Sequence, residues 1–234
     1  MCSNYEPVTR ADRLLAYFGV ARPEGRESAP EVFPLGLAPF IRAHHDGSGH
    51  RVVEHGIFGL LPHFAKELAY GRRTYNARSE TVASLPSFRD AWRHGQRCIV
   101  PAEAVFEPCW ETGRAERWRI QQPGAVPMGI AGIYRRWRDP EGEEHFTFAM
   151  LTASAEAHPV YQRMHRPTDE KRMVVILDPA EYDRWLQCSA AEAMTMCRQW
   201  TGPLEAWAAP LPPRGPKPPR MDIMRRPDEG DLFG

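Results

Sequence analysis

The fold turns on the stretch Cys98-Ile99-Val100-Pro101-Ala102-Glu103-Ala104-Val105-Phe106-Glu107-Pro108. Cys98–Val100 reads as a short buried strand, and an apolar stretch continues from it to Glu107. Further strand-like runs follow at Arg117–Gln121, Met128–Tyr134, Phe146–Leu151 and Met173–Leu177, with a turn at Asp139–Gly142. Upstream, residues 33–43 are extended and broken by Pro34, Gly36 and Pro39. The turn signal Asp46-Gly47-Ser48-Gly49 joins Phe40–His45 to Arg51–Phe58 as a hairpin. Helical patterns lie at the flanks. They cover residues 9–19, with Thr9 as N-cap and Gly19 as stop, then Ser87–His94, Pro179–Gln187 and Ala190–Trp200. Short, irregularly spaced strands with flanking helices and no internal repeat predict an α+β fold. Its expected centre is a curved, barrel-like, mainly antiparallel sheet.

Bulk properties narrow the function classes. The chain of 234 residues is 42% hydrophobic and 10% aromatic, enough for one sizeable core. Its 30 basic and 30 acidic side chains cancel. Binding to nucleic acid through bulk charge is therefore excluded, and any such site must be a local basic patch. No apolar run approaches the ~20 residues of a membrane span, and the N-terminus lacks the features of a secretory signal. A cytoplasmic protein with reduced thiols is expected. The five cysteines (2, 98, 109, 188 and 197) form no Cys-x-x-Cys pair, which argues against a disulfide framework or a zinc ribbon. His44, His45, His50 and His55 flank the hairpin turn at no zinc spacing, so no metal and no cofactor are expected. Residues 210–234 are proline-rich with mixed charge and read as a surface tail.

Four segments carry chemistry-bearing residues. Cys2 follows the initiator Met. Removal of Met1 leaves a free α-amine beside the thiol, and such a 1,2-aminothiol converts an aldehyde first to an imine and then to a thiazolidine ring. Between residues 71 and 100 stand six Arg (72, 73, 78, 89, 93 and 97) against Glu80 and Asp90. Arg matches phosphate in a forked geometry, and Asn76 and Ser79 lie within this segment. Arg89, Arg93 and Arg97 also suit a solvated helix face. Glu107 closes an apolar run. A carboxyl in such surroundings holds its proton more tightly than a solvated one, which suits a proton shuttle, and an exposed turn acid fits the same local sequence. His165, in Arg163-Met164-His165-Arg166-Pro167, precedes the apolar strand and is a candidate acid–base.

In order along the chain, these pieces resemble the SRAP (SOS-response-associated peptidase) family of abasic-site-processing proteins. The matching elements are Met1-Cys2; Leu37-Ala38-Pro39; Gly59-Leu60-Leu61-Pro62; Asn76-Ala77-Arg78 with Glu80-Thr81; Cys98–Ala102; Phe106-Glu107; and the His165 element before Val174–Leu177. The resemblance implies a catalytic domain over residues 2–209 and a monomer acting on single-stranded DNA that contains abasic sites. It implies Cys2 as covalent nucleophile, Asn76 positioning its amine, Glu107 as proton shuttle and His165 as acid–base. It further implies DNA contacts from Asn4, Pro39, Phe64, Arg72, Arg73 and Arg78, autoproteolytic loss of Met1, and a lyase side reaction. The chain departs from the family pattern in several places. Ser3-Asn4 replaces Gly-Arg, so a phosphate-contacting Arg is missing. Phe58-Gly59 replaces Trp-Gly. His63-Phe64 stands where a Trp is usual, and Phe64 retains a stacking face. His158, seven residues before His165, is a second candidate acid–base. Two other readings fit part of the pattern. One is a thiol hydrolase using Cys2 or Cys98 with His165 and Glu107. The other is a non-covalent single-strand-binding module, which has no use for Cys2.

Overall fold

The computed structural model describes residues 3–22 and 28–211. Cys2 and the segment 212–234 lie outside the described residues.

Among the described residues, eleven strands form one sheet. They are β1 (Asn4–Pro7), β2 (Leu37–Ala43), β3 (Arg51–Phe58), β4 (Asn76–Arg78), β5 (Arg97–Cys109), β6 (Glu116–Gln121), β7 (Met128–Arg138), β8 (Glu144–Ser154), β9 (Arg172–Val174), β10 (Ile176–Leu177) and β11 (Glu205–Ala208). Following the pairings β7–β8–β3–β2–β5 and back from β5 to β7 closes a ring of five strands. Among the described residues only β3–β8 and β4–β8 are parallel, so the sheet is mixed and the ring uneven rather than a regular barrel.

Both faces of the ring strands are covered, which explains why they read as nearly continuous apolar runs. Successive residues alternate between two cores. Phe40, Val100, Ile130, Phe148 and Met150 fill one, while Ile41, Ile99, Ala131, Ala149 and Leu151 face the other. The second core is roofed by α1 (Ala11–Phe18), α2 (Arg89–Arg93), α3 (Tyr182–Gln187) and α4 (Ala190–Met196). These supply Leu14, Phe18, Trp92, Trp185, Leu186 and Met196.

Several elements differ in extent from the sequence pattern. The hairpin β2–β3 forms with Ala43 opposite Arg51, its turn held by Ser48 N–H donating to Asp46 Oδ1 at 2.9 Å. In α1 the N-cap position is Arg10 rather than Thr9, and Gly19 stops the helix in the left-handed region at φ 67°. The helical patterns at 87–94 and 190–200 shorten to α2 and α4. The expected strand at Cys98–Val100 is the start of the 13-residue β5. Pro101 and Pro108 lie within it, Pro101 next to Ala102, which pairs with Met128 of β7 on one edge and Pro7 of β1 on the other. Short β1, β4 and β11 carry no strand pattern of their own and are set by their partners β5, β8 and β6.

The segment after residue 171 has an unusual seat. β9 pairs with the end of β8, β10 pairs with the start of β7, and Val175 between them bonds to both Leu151 and Ala131. Residues 172–177 thus wedge between β7 and β8 where those strands part.

Candidate active site

The length of β5 places Glu107. It is a strand residue two places beyond Val105, so both project from the same face, and Glu107 is 2% exposed. This replaces the alternative of an exposed turn acid. The antiparallel register of β1 sets Asn4 opposite Phe106, which brings the start of the described chain alongside Glu107. Ser3, Asn4, Phe106, Glu107, Pro108, Ala115 and Arg117 line one cleft of about 280 Å³.

His165 reaches Glu107 from the loop between β8 and β9. Residues 163–165 run beside the end of β5: Trp110 N–H donates to Arg163 O at 3.2 Å, and His165 N–H donates to Pro108 O at 2.7 Å. The imidazole Nε2 then lies 2.8 Å from Glu107 Oε2, with both side chains buried. His165 adopts φ 61°, a left-handed backbone that costs a non-glycine residue roughly 1 kcal/mol or more. Such strain persists only where surrounding bonds hold it, and here they do. Lys171 Nζ donates to the carbonyls of Met164, His165 and Arg166, and Glu170 pairs with both Arg78 and Arg172.

His158 has a different role. Its Nδ1 accepts N–H bonds from Val160 at 3.1 Å and Tyr161 at 3.4 Å, so it caps the turn that precedes the loop. Burial pushes its pKa down. Cys98 is fully buried, and burial pushes its thiol well above the usual range. It stands nine positions before Glu107 along the strand, up to ~30 Å when extended. Cys98 is therefore no partner for the Glu107–His165 pair.

The remaining expected residues fall at several places. Asn76 opens β4 beside Met150 of β8 and is half-buried. Arg78, two residues on, is exposed and ion-paired to Glu170 at 2.7 Å, so it borders the His165 loop. Phe64 is 43% exposed and meets the Tyr70 ring edge-on at 5.8 Å, while the Arg73 guanidinium lies over Tyr70 at 5.2 Å. Arg72 beside it is exposed. Together these form an aromatic and basic surface of the kind on which bases stack. Two of the expected DNA contacts have little exposed surface. Pro39 is buried inside β2 opposite His55 and presents little surface to any ligand. Asn4 is 6% exposed and its amide bonds to Glu31, so it shapes the cleft wall more than it offers a free hand. The basic excess counted over residues 71–100 also shrinks. Arg97 is buried at the start of β5 with its Nε on Trp185 O, and Arg89 and Arg93 gather round Asp90.

Sequence reasoning missed Lys171, Arg172 and Arg117. Arg172 is 2% exposed and bonds Glu80, Glu170 and Thr152. Arg117 stacks on Phe106 at 3.5 Å and pairs with Glu31. Their only signal was position, since Lys171 and Arg172 stand directly ahead of the buried strand.

Compared with protein families, residues 1–209 match the model described as SOS response associated peptidase (SRAP). The chain belongs to the SRAP family. Among SRAP relatives, the abasic site processing protein YoqW of Bacillus subtilis is 28% identical over 198 residues, 80% of each chain. The abasic site processing protein HMCES of Gallus gallus is 27% identical over 177 residues, covering 64% of this chain and 51% of the relative. A crystal structure of a protein from Bordetella bronchiseptica shares the fold at TM-score 0.82 with 33% identity, covering 90% of this chain and all of that one. One from Bacteroides thetaiotaomicron gives 0.74 at 25% identity, covering 88% of this chain and 91% of that one. Among the described residues no helix is long and apolar enough to cross a membrane.

Proposed function

We propose that this SRAP protein processes abasic sites in DNA, binding the single strand as a cytoplasmic monomer and capturing the site covalently through Cys2. The relatives named above as abasic site processing proteins support this reading. The observation that carries the chemistry is Glu107, which lines the same cleft as Ser3, the residue after Cys2, and is bonded to the buried His165.

The chemistry needs a free α-amine, so Met1 must first be removed, a cleavage we assign to the protein itself. The Cys2 amine adds to the aldehyde carbon of the open sugar and gives a carbinolamine. Glu107 delivers a proton to the departing hydroxyl, water leaves, and a C=N bond forms. The thiol then adds across that bond, sulfur to carbon and hydrogen to nitrogen, closing a thiazolidine. Asn76 orients the amine, and His165 exchanges protons with Glu107. Loss of a proton from the carbon next to the imine, with departure of the 3′ phosphate, gives the lyase side reaction. Arg72, Arg73 and Arg78 meet phosphates, and Phe64 stacks a base.

The test is intact mass of the purified chain, alone and after mixing with an abasic single-stranded oligonucleotide. Loss of Met1 and a stoichiometric adduct are expected, and the adduct should vanish in Cys2→Ala and in a protein with an uncleavable N-terminal extension. A full adduct in Cys2→Ala sinks the mechanism. Thiol-dependent hydrolysis that survives the N-terminal extension would favour the hydrolase reading instead.

A further inference from the structure

Lys171 occupies a position that the proposed chemistry does not use. It is 8% exposed, and its ammonium donates to three successive carbonyls: Met164 at 2.8 Å, His165 at 3.3 Å and Arg166 at 2.8 Å. In extended chain, successive carbonyls point to opposite sides. The left-handed turn at His165, between Met164 at φ −86° and Arg166, gathers all three round one nitrogen. A lysine ammonium has three donors and no acceptor, so this ring of carbonyls accommodates all of them. The lysine is itself fixed at the backbone. Its N–H donates to Glu156 at 2.8 Å, its carbonyl accepts from Ala155 at 2.8 Å, and the next residue enters the wedge between β7 and β8.

We infer that Lys171 is a positioning residue for His165, its ammonium acting as an internal tie that holds the strained loop with the imidazole on Glu107. A metal ion would hold such carbonyls in the same way, and here the chain supplies the charge itself. Arginine is a poor substitute, because its planar fork spreads its donors and cannot converge three carbonyls on one nitrogen. The inference rests on the reading of Glu107 and His165 as proton-transfer groups. It makes a structural claim that can be read separately.

The test is a double-mutant cycle of Lys171→Met with His165→Ala, following cross-linking and strand scission on one abasic oligonucleotide. Melting temperature and affinity for the intact single strand control for folding. Lys171→Met alone should slow the step that His165→Ala slows by about 10- to 100-fold, the effect of a misplacement near 1 Å. In the His165→Ala background it should change the rate by no more than roughly twofold, because the residue it positions is gone. Equal losses in both backgrounds would overturn the inference. If Lys171→Met fails to fold, Lys171→Arg enters the same cycle, with a smaller loss of the same non-additive kind expected and an additive loss overturning it. Ring-nitrogen chemical shifts of His165 provide the activity-independent readout. They should move on substitution of Lys171, and unchanged shifts would refute the inference. Wild-type protein that never cross-links would instead refute the proposed function and leave this readout standing.

Discussion

Substituting Glu107 by Gln separates proton transfer from packing. The amide fills the space of the carboxyl and can still meet His165 Nε2 across the 2.8 Å contact. It cannot give up or take a proton at that atom. General acid–base groups contribute roughly 10²- to 10⁴-fold, so Glu107→Gln should slow adduct formation by at least about 10²-fold, or ~2.7 kcal/mol on the barrier. Its effect on stability should be smaller. Replacing one hydrogen-bonding group of the buried pair by another costs about 1 kcal/mol, a shift of roughly 2–4 °C in Tm for a chain of this size. Single-strand affinity should not change, because neither group presents a surface to phosphate. The assay is a time course of cross-linking at saturating protein, read on denaturing gels, beside thermal melts of both proteins. Cross-linking by the variant at the wild-type rate would refute the reasoning and return Glu107 to a structural role. A slowed rate accompanied by a Tm loss of 10 °C or more would refute it as well, since misfolding would then account for the result.

Two further outcomes are expected. Arg78→Ala should weaken single-strand binding and lower the salt slope by about one, the loss of one phosphate contact, and an unchanged slope in salt-titrated binding would leave Arg78 as Glu170's partner only. His158 is held below its unfolded pKa by burial, so the unfolded chain binds the extra proton first. The stability it contributes is present above the ~6.5 of a free imidazole and is lost as pH falls. The Tm difference between about pH 7.5 and about pH 5 should therefore shrink in His158→Asn relative to wild type, and an equal difference in both proteins would dismiss this role.

The sheet was legible wherever strands are buried on both faces or alternate cleanly, as at Met128–Tyr134 and the β2–β3 hairpin. It was less legible where pairing alone makes a strand. Nothing local marks Asn4–Pro7 or Glu205–Ala208, which are held by β5 and β6. The two prolines hid the length of β5. The site was legible residue by residue and not as a constellation. Glu107 and His165 are 58 positions apart, and neither the strand register nor the φ of 61° that joins them has a local signature. Counting arginines misled for a related reason. Arg97 sits in the same basic segment as Arg72 and Arg78, and only burial divides the one that holds the fold from those that face outward.

The wedge of residues 172–177 between β7 and β8 carries a consequence for motion. The loop bearing His165 emerges from one ring strand and ends in a segment that fills the gap between two of them. Releasing that loop means detaching β9 from β8 and β10 from β7, so its opening belongs to the slower breathing of the domain rather than to surface fluctuation. A gate of the kind that closes over a substrate cannot be built on such a hinge. Under the proposed function, access is then governed by how far the DNA strand itself bends to deliver the sugar, which makes the flexibility of the substrate, more than that of the protein, the determinant of which sites are reached.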